Sequence, residues 1–205
     1  MARSGVANRG SSTTGARTRE RIVEAAIETL KSDGFAGASA RAIARRGGFN
    51  QALVFYHFGS VNELLLAALD ATSAARMTRY RAAVDDVESI GDLFLVATAI
   101  YAEDLDSGHI KVLAELMAAS TSFPELRTEI VARVEPWVQF TEAVVARQLE
   151  TSPFAGMLAA RDVAYAIVAL YLGMEMLANL DDNRERADSL FATGQRFATV
   201  FSTGA

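Results

Sequence analysis

Between Gly48 and Gly59 the chain leaves room for a helix of about two turns, and that helix must carry Phe55, Tyr56, His57 and Phe58 side by side. Four consecutive rings suit neither one face of a helix, where neighbours recur every three or four residues, nor one face of a strand, where they alternate. The segment must therefore serve two faces at once. In this reading Val54 and Phe58 turn inward and Tyr56 and His57 turn outward. Phe55 stays open between packing and the outer surface.

The preceding residues are punctuated in the same way. Ile22, Val23, Ala26, Ile27 and Leu30 share one face of a helix that begins near Thr18 and stops at Gly34. Ser39 suits the N-cap of a short helix with Ile43 and Ala44 inward, ended by Gly47-Gly48. Asn50 is the next N-cap candidate. Ser60 to Glu63 follow the capping-box pattern just before Leu64-Leu65-Leu66, so a long helix starts at Val61 and runs into the 80s. Two short helices joined by a tight glycine turn form a helix-turn-helix, whose second helix enters the DNA major groove N-terminal end first.

The charge distribution agrees with a polyanion at this end. Residues 1–60 hold nine Lys/Arg and four Asp/Glu, whereas the rest of the chain holds eleven and twenty-one. The head is thus net positive by five and the body net negative by ten, which gives the overall charge of -5. Phosphate contacts position such a head and base-edge contacts specify the sequence. Gln51, just past the N-cap, has an amide that can pair with adenine. Leu53 can lie on a thymine methyl, and Arg41 can reach phosphate or guanine. Tyr56 and His57 carry donors for phosphate oxygens. With Arg17, Asn50, Ala52 and Phe55 these make up the candidate DNA-binding set. Gln51 and Arg41 as plain solvated residues is the competing reading.

Beyond residue 90 the pattern stays helical. Helices are expected over 92–106, over 109–119, from Pro124 onward with a kink or break near Val134–Pro136, over 161–180, and from Asp188 or Ser189 to the end. The segment 161–180 is apolar almost all round, and such a helix must be buried on every side. Glu175 and Asn179 interrupt it, which argues against a membrane span. A second copy of the chain can cover the outer side, and the candidate dimer interface is Val163, Ile167, Leu170, Leu190, Phe197 and Phe201. Glu175 is read either as a rim residue of that dimer or as a charge in a pocket.

Large apolar side chains interleaved with few polar ones make Phe94, Tyr101, Met117, Trp137, Phe140, Tyr171 and Met174 the candidates for lining a small-molecule site. Plain core packing competes for each. With no cysteine and two histidines far apart in sequence, the chain offers no Cys/His dyad and no dense metal-ligand cluster. No phosphate loop or nucleophile motif occurs, so no catalytic residue, metal or cofactor is expected. The absence of cysteine fits a reducing cytosol, and no apolar segment follows the basic start as a signal peptide would.

These residues carry a resemblance. The helix ending at Gly34-Phe35, Ser39, Ile43-Ala44, the turn at Gly48, Asn50, the aromatic-His-Phe ending at Phe58 and the Ser60-led helix are similar to the DNA-binding domain of the tetracycline-repressor-like (TetR) family of bacterial transcription regulators, over about residues 18–70. The resemblance implies an all-α chain with an N-terminal three-helix helix-turn-helix domain and a C-terminal helical ligand-binding and dimerisation bundle. Helices four to seven would surround a ligand cavity, and helices eight and nine would form the dimer interface. The domains are then a disordered basic arm over 1–16, the DNA-binding domain over 17–62 and the body over 63–205. The implied protein is a cytoplasmic bacterial regulator: a homodimeric, ligand-responsive repressor on a palindromic operator in double-stranded DNA, answering to an unknown small-molecule effector. Three positions depart from the family pattern. Val61 stands where Lys is common, Phe55 where Tyr is usual and Leu53 where a small hydroxyl residue is frequent. All three reduce polar contact with DNA, and they keep open a helical interaction or ligand-binding protein with weakened or lost DNA binding.

Overall fold

The computed structural model describes residues 7–107, 109–150, 152, 155–181 and 185–202. Among them the regular elements are helices throughout: α1 (Ala7–Gly37), α2 (Ala40–Gly47), α3 (Ala52–Phe58), α4 (Val61–Val84), α5 (Ile90–Ser107), α6 (His109–Ala119), α7 (Pro124–Glu150), α8 (Ala160–Asp181) and α9 (Glu185–Ser202). The all-α expectation holds.

The helix boundaries follow the expected punctuation in the head. Gly34 leaves helical geometry at φ 68°, and α1 ends in one further turn. Ser39 Oγ accepts from the Ala42 amide at 3.2 Å, which caps α2. Gly48 closes α2 in the left-handed region at φ 66°. Gly47 is needed for a different reason: a Cβ there would meet the Phe49 ring at 2.2 Å and Ala25 at 2.9 Å. Asn50 Oδ1 accepts from the Ala52 amide at 2.9 Å, the bond an N-cap makes, although regular helix starts two residues later, at Ala52. Ser60 Oγ takes the Glu63 amide at 3.1 Å at the start of α4.

Three boundaries differ from expectation. The chain is helical from Ala7, inside the segment expected to be a disordered arm. Once the buried face of α1 has nucleated a helix, extending it through residues without proline costs little. Pro136 does not break α7, which continues to Glu150. Proline removes one backbone donor there, while side-chain bonds tie the helix to its neighbours on either side of it. Arg133 reaches Asp70 of α4 at 2.7 Å, and Trp137 reaches Ser73 at 2.9 Å. Finally, α9 begins at Glu185, ahead of the expected restart.

One continuous core joins head and body. Ile22 and Leu30 of α1, Ile43 of α2, Val54 of α3 and Leu64 and Leu65 of α4 pack in the same cluster as Val112 and Leu116 of α6 and Leu126 of α7. At the seam, Glu115 of α6 accepts from the Phe35 amide at 2.8 Å, just after the Gly34 break. The carboxylate satisfies a donor that the interrupted helix leaves unpaired, and it fixes α6 to the head. The other end of α6 reaches the interior of the body. Among the described residues no single helix is long and apolar enough to cross a membrane.

Candidate nucleic-acid interface and effector cavity

The two-faced reading of the ring run describes α3 well. Val54 is fully buried, and Phe58 packs against the same core. Arg19 of α1 lies 4.7 Å above the Phe58 ring, a cation–π contact that pins the end of α3. Tyr56 is 82% exposed and Phe55 51%, so the open question about Phe55 resolves toward the surface. The His57 ring stands edge-on to Tyr56 at 5.0 Å. Asn50, Gln51 and Ala52 are exposed at the N-terminal end of α3, and Arg41 and Arg45 are exposed on α2. Leu53 is different from expectation: it packs partly against the core, because a side chain one residue before Val54 borders the same inward face. Arg17 is exposed on α1. On the inner side, Arg21 donates to the Gly47 carbonyl at 3.0 Å and holds the glycine turn to α1. Arg45 was not singled out in the sequence, although an Arg four residues after Arg41 on one short helix shares its face.

The body holds a half-open cavity of about 180 Å³ between α4, α5, α6, α7 and α8. Its walls are mostly apolar, from Val84, Leu93, Val96, Ile110, Leu113 and Val144. Of the expected lining residues, Trp137, Phe140 and Tyr171 are in the wall. Phe94, Tyr101 and Met174 are not; they pack with Ala187 and Phe191 in a separate cluster that seals α9 onto α5 and α8. Met117 lies on the exposed side of α6. Ile167, expected at the dimer interface, contributes to the cavity wall.

One corner of the cavity is polar, and its members come from three helices, so they do not stand together in the sequence. Arg76 of α4 is buried and donates from Nε to Asp104 Oδ1 at 2.9 Å, with a second, close contact from Nη2 to Oδ2. Arg76 also donates to the hydroxyls of Tyr80 at 2.8 Å and Tyr171 at 3.2 Å. Tyr171 in turn reaches Glu175 at 2.9 Å and contacts Asp104. Burial, with the Glu175 and Asp104 carboxylates beside it, pushes the Tyr171 phenol far above its ordinary range, so it stays a hydroxyl. Glu175 itself is fully buried, which removes the rim reading. Guanidinium, carboxylates and hydroxyls thus form one bonded group at the cavity end.

His109 also lines the cavity, with Nδ1 2.7 Å from the Thr72 hydroxyl. That hydroxyl donates to backbone carbonyls of α4, so it accepts from His109 Nδ1. Burial, helped by Arg76, lowers its pKa from 6.5 to about 3. The unfolded chain therefore binds a proton between pH 6.5 and 3 that the folded chain refuses. Stability falls as pH drops through that window, by at most about 1.4 kcal/mol per pH unit from this group. Urea melts at pH 7 and pH 5 are expected to show a smaller acid loss in His109→Gln than in the native protein. An equal loss in both would contradict the assignment.

Residues 22–68, which span the glycine-punctuated head, match the family model for bacterial regulatory proteins of the tetR family. Over these residues the head is that of the tetR family. The whole chain also has the architecture of solved regulators. It is similar to a TetR-family regulator from Cytophaga hutchinsonii at 18% identity and a TM-score of 0.76, covering 92% of this chain and 96% of that one. A regulator from Chloroflexus aurantiacus gives 19%, 0.76, 91% and 96% in the same terms. A regulator from Saccharomonospora viridis in complex with choline gives 19%, 0.72, 89% and 95%. At these identities the likeness is one of fold. None of the curated proteins compared with the chain matches it.

As a tetR-family head, α2 and α3 make a DNA-binding helix-turn-helix. Val61 departs from the family pattern for a structural reason, since it packs against the core. The α4 N-terminus still presents unbonded amides and the positive end of a helix dipole. At the other end of the chain, α8 and α9 show an apolar outer surface: Tyr165, Leu170, Leu177, Leu180, Leu190 and Phe197 are all exposed, Leu180 by 81%. Val163 is half-buried, and the side chain of Phe201 lies outside the described residues.

Proposed function

We propose that this protein is a ligand-responsive repressor that binds a palindromic operator as a homodimer. The observation that carries the reading is the outward face of α3, where Asn50, Gln51, Ala52, Phe55 and Tyr56 stand exposed, as does Arg41 on α2. Gln51 reads a base edge and Arg41 a phosphate or guanine; Tyr56 and His57 hold the backbone, with Arg17 of α1 beside it. Leu53 belongs to the support of α3 more than to its outer face. The exposed apolar side of α8 and α9 supports the homodimer, because patches of this kind on a single chain mark association surfaces. A two-fold dimer brings two recognition helices to successive major grooves, about 34–36 Å apart.

The cavity supports an effector, as does the choline found with the Saccharomonospora viridis regulator. Two elements run from the cavity to the head. Helix α4 carries Arg76 and Tyr80 at one end and Val61 at the other, and α6 carries His109 and Ile110 at one end and Glu115 at the other. A ligand that binds the two head spacings unequally would shift their populations and release the operator. Titration of the protein onto the DNA flanking its own gene tests the reading. Gln51→Ala is expected to weaken binding by about 1–3 kcal/mol per disturbed base contact and to broaden sequence preference. A binding profile unchanged across operator variants removes Gln51 from that role.

A further inference from the structure

From the arrangement of charge around the cavity, we infer that its ligand is a compact, uncharged, largely aromatic or aliphatic molecule with one hydrogen-bonding group, and that carboxylates and amines are both rejected. The inference rests on the effector reading of the same cavity and adds the ligand's class.

The size comes first. An apolar cavity of about 150 Å³ stays dry and takes a benzene-sized guest. This one, at about 180 Å³, suits a single substituted ring. Charge decides the rest. Among the described residues, Arg76 is the one lining side chain with a fixed charge, since burial keeps the other ionisable liner of that corner, His109, as neutral imidazole. Arg76 is already held by both oxygens of Asp104 and bonds to two tyrosine hydroxyls. An incoming carboxylate would have to compete with Asp104 for the same guanidinium while facing Glu175 through Tyr171. An incoming ammonium would meet Arg76 first, because the guanidinium lines the cavity and neither Asp104 nor Glu175 is part of its wall. Either ion would be taken out of water without a counter-charge of its own, which is far more costly than burying a neutral ring. A neutral guest needs only one polar partner, and the Tyr80 and Tyr171 hydroxyls at the corner supply it.

Benzyl alcohol, benzoate and benzylammonium share one ring and differ in charge, so calorimetry and thermal shift with these three on the full chain test the inference at neutral pH. Benzyl alcohol is expected to bind at least about tenfold more tightly than either ion. Benzoate or benzylammonium binding as well as the alcohol overturns the neutral class. If that binding is lost when Val96→Trp fills the cavity, the effector reading survives and the class alone falls. Binding by none of the three overturns both. Asp104→Asn provides a gain of function: with the competing charge removed, benzoate is expected to bind at least about tenfold better than to the native chain and to raise the variant's melting temperature. No gain in a folded Asp104→Asn variant contradicts the role given to that carboxylate.

Discussion

Asp104→Ala is expected to lower the unfolding free energy by about 3–5 kcal/mol, more than any single surface change in this protein. The reason is the partner it leaves. Arg76 is 4% exposed, and without Asp104 the guanidinium keeps two hydroxyl contacts and loses the carboxylate that balances its charge. For a chain of this size that corresponds to a fall in melting temperature on the order of 10 °C. Arg161 makes an instructive contrast. It bonds to Glu135 at 2.7 Å and Glu142 at 3.1 Å, geometry as good as that of Arg76, but in solvent. Its replacement by Ala is expected to have a far smaller effect, because water resolvates the freed carboxylates. Chemical denaturation of both variants decides the point. Similar losses for the two would show that burial of the Arg76 group is not what matters.

The second large effect concerns association. Leu177→Glu with Phe197→Glu puts a charge into each of the two helices whose apolar outer surfaces have no cover within one chain. Both side chains are exposed in the single chain, so the fold is expected to survive, and a circular dichroism spectrum like that of the native protein checks this. A two-fold interface buries each substitution twice, once from each copy, which multiplies the cost. Sedimentation equilibrium is expected to give twice the 22.0 kDa chain mass for the native protein and the single-chain mass for the variant. A native protein that remains monomeric at the concentrations where it binds DNA would remove the homodimer from the account.

What could be read from the sequence depended on how local its cause is. Glycine breaks and caps act within a few residues, so Gly34, Ser39, Gly48 and Ser60 marked their boundaries correctly. The inward and outward assignment of Val54, Tyr56 and Phe58 followed from the shortness of α3, itself set by Gly48 and Gly59. The break allowed for at Pro136 does not occur, because contacts from α4, more than sixty residues away in sequence, hold the helix on both sides of the proline. The cavity was legible only in part for the same reason. Trp137, Phe140 and Tyr171 line the cavity, but size does not distinguish a wall from a packed cluster, and Phe94, Tyr101 and Met174 lie in the cluster that Tyr171 also joins. The Arg76–Asp104–Tyr171–Glu175 group joins α4, α5 and α8. Helical spacing connects only Tyr171 with Glu175, four residues apart on α8; nothing in the sequence separates Arg76 from the other arginines of α4.

The central claim is that the outer face of α2 and α3 binds DNA. Its most direct measurement is a gel-shift titration on the DNA flanking the protein's own gene, with the native chain and with Arg41→Ala and Gln51→Ala combined. A saturable shift is expected for the native protein, weakening as salt is raised and abolished in the folded double variant. A native protein that shifts no DNA at any salt concentration, or a double variant that binds as the native chain does, would contradict it.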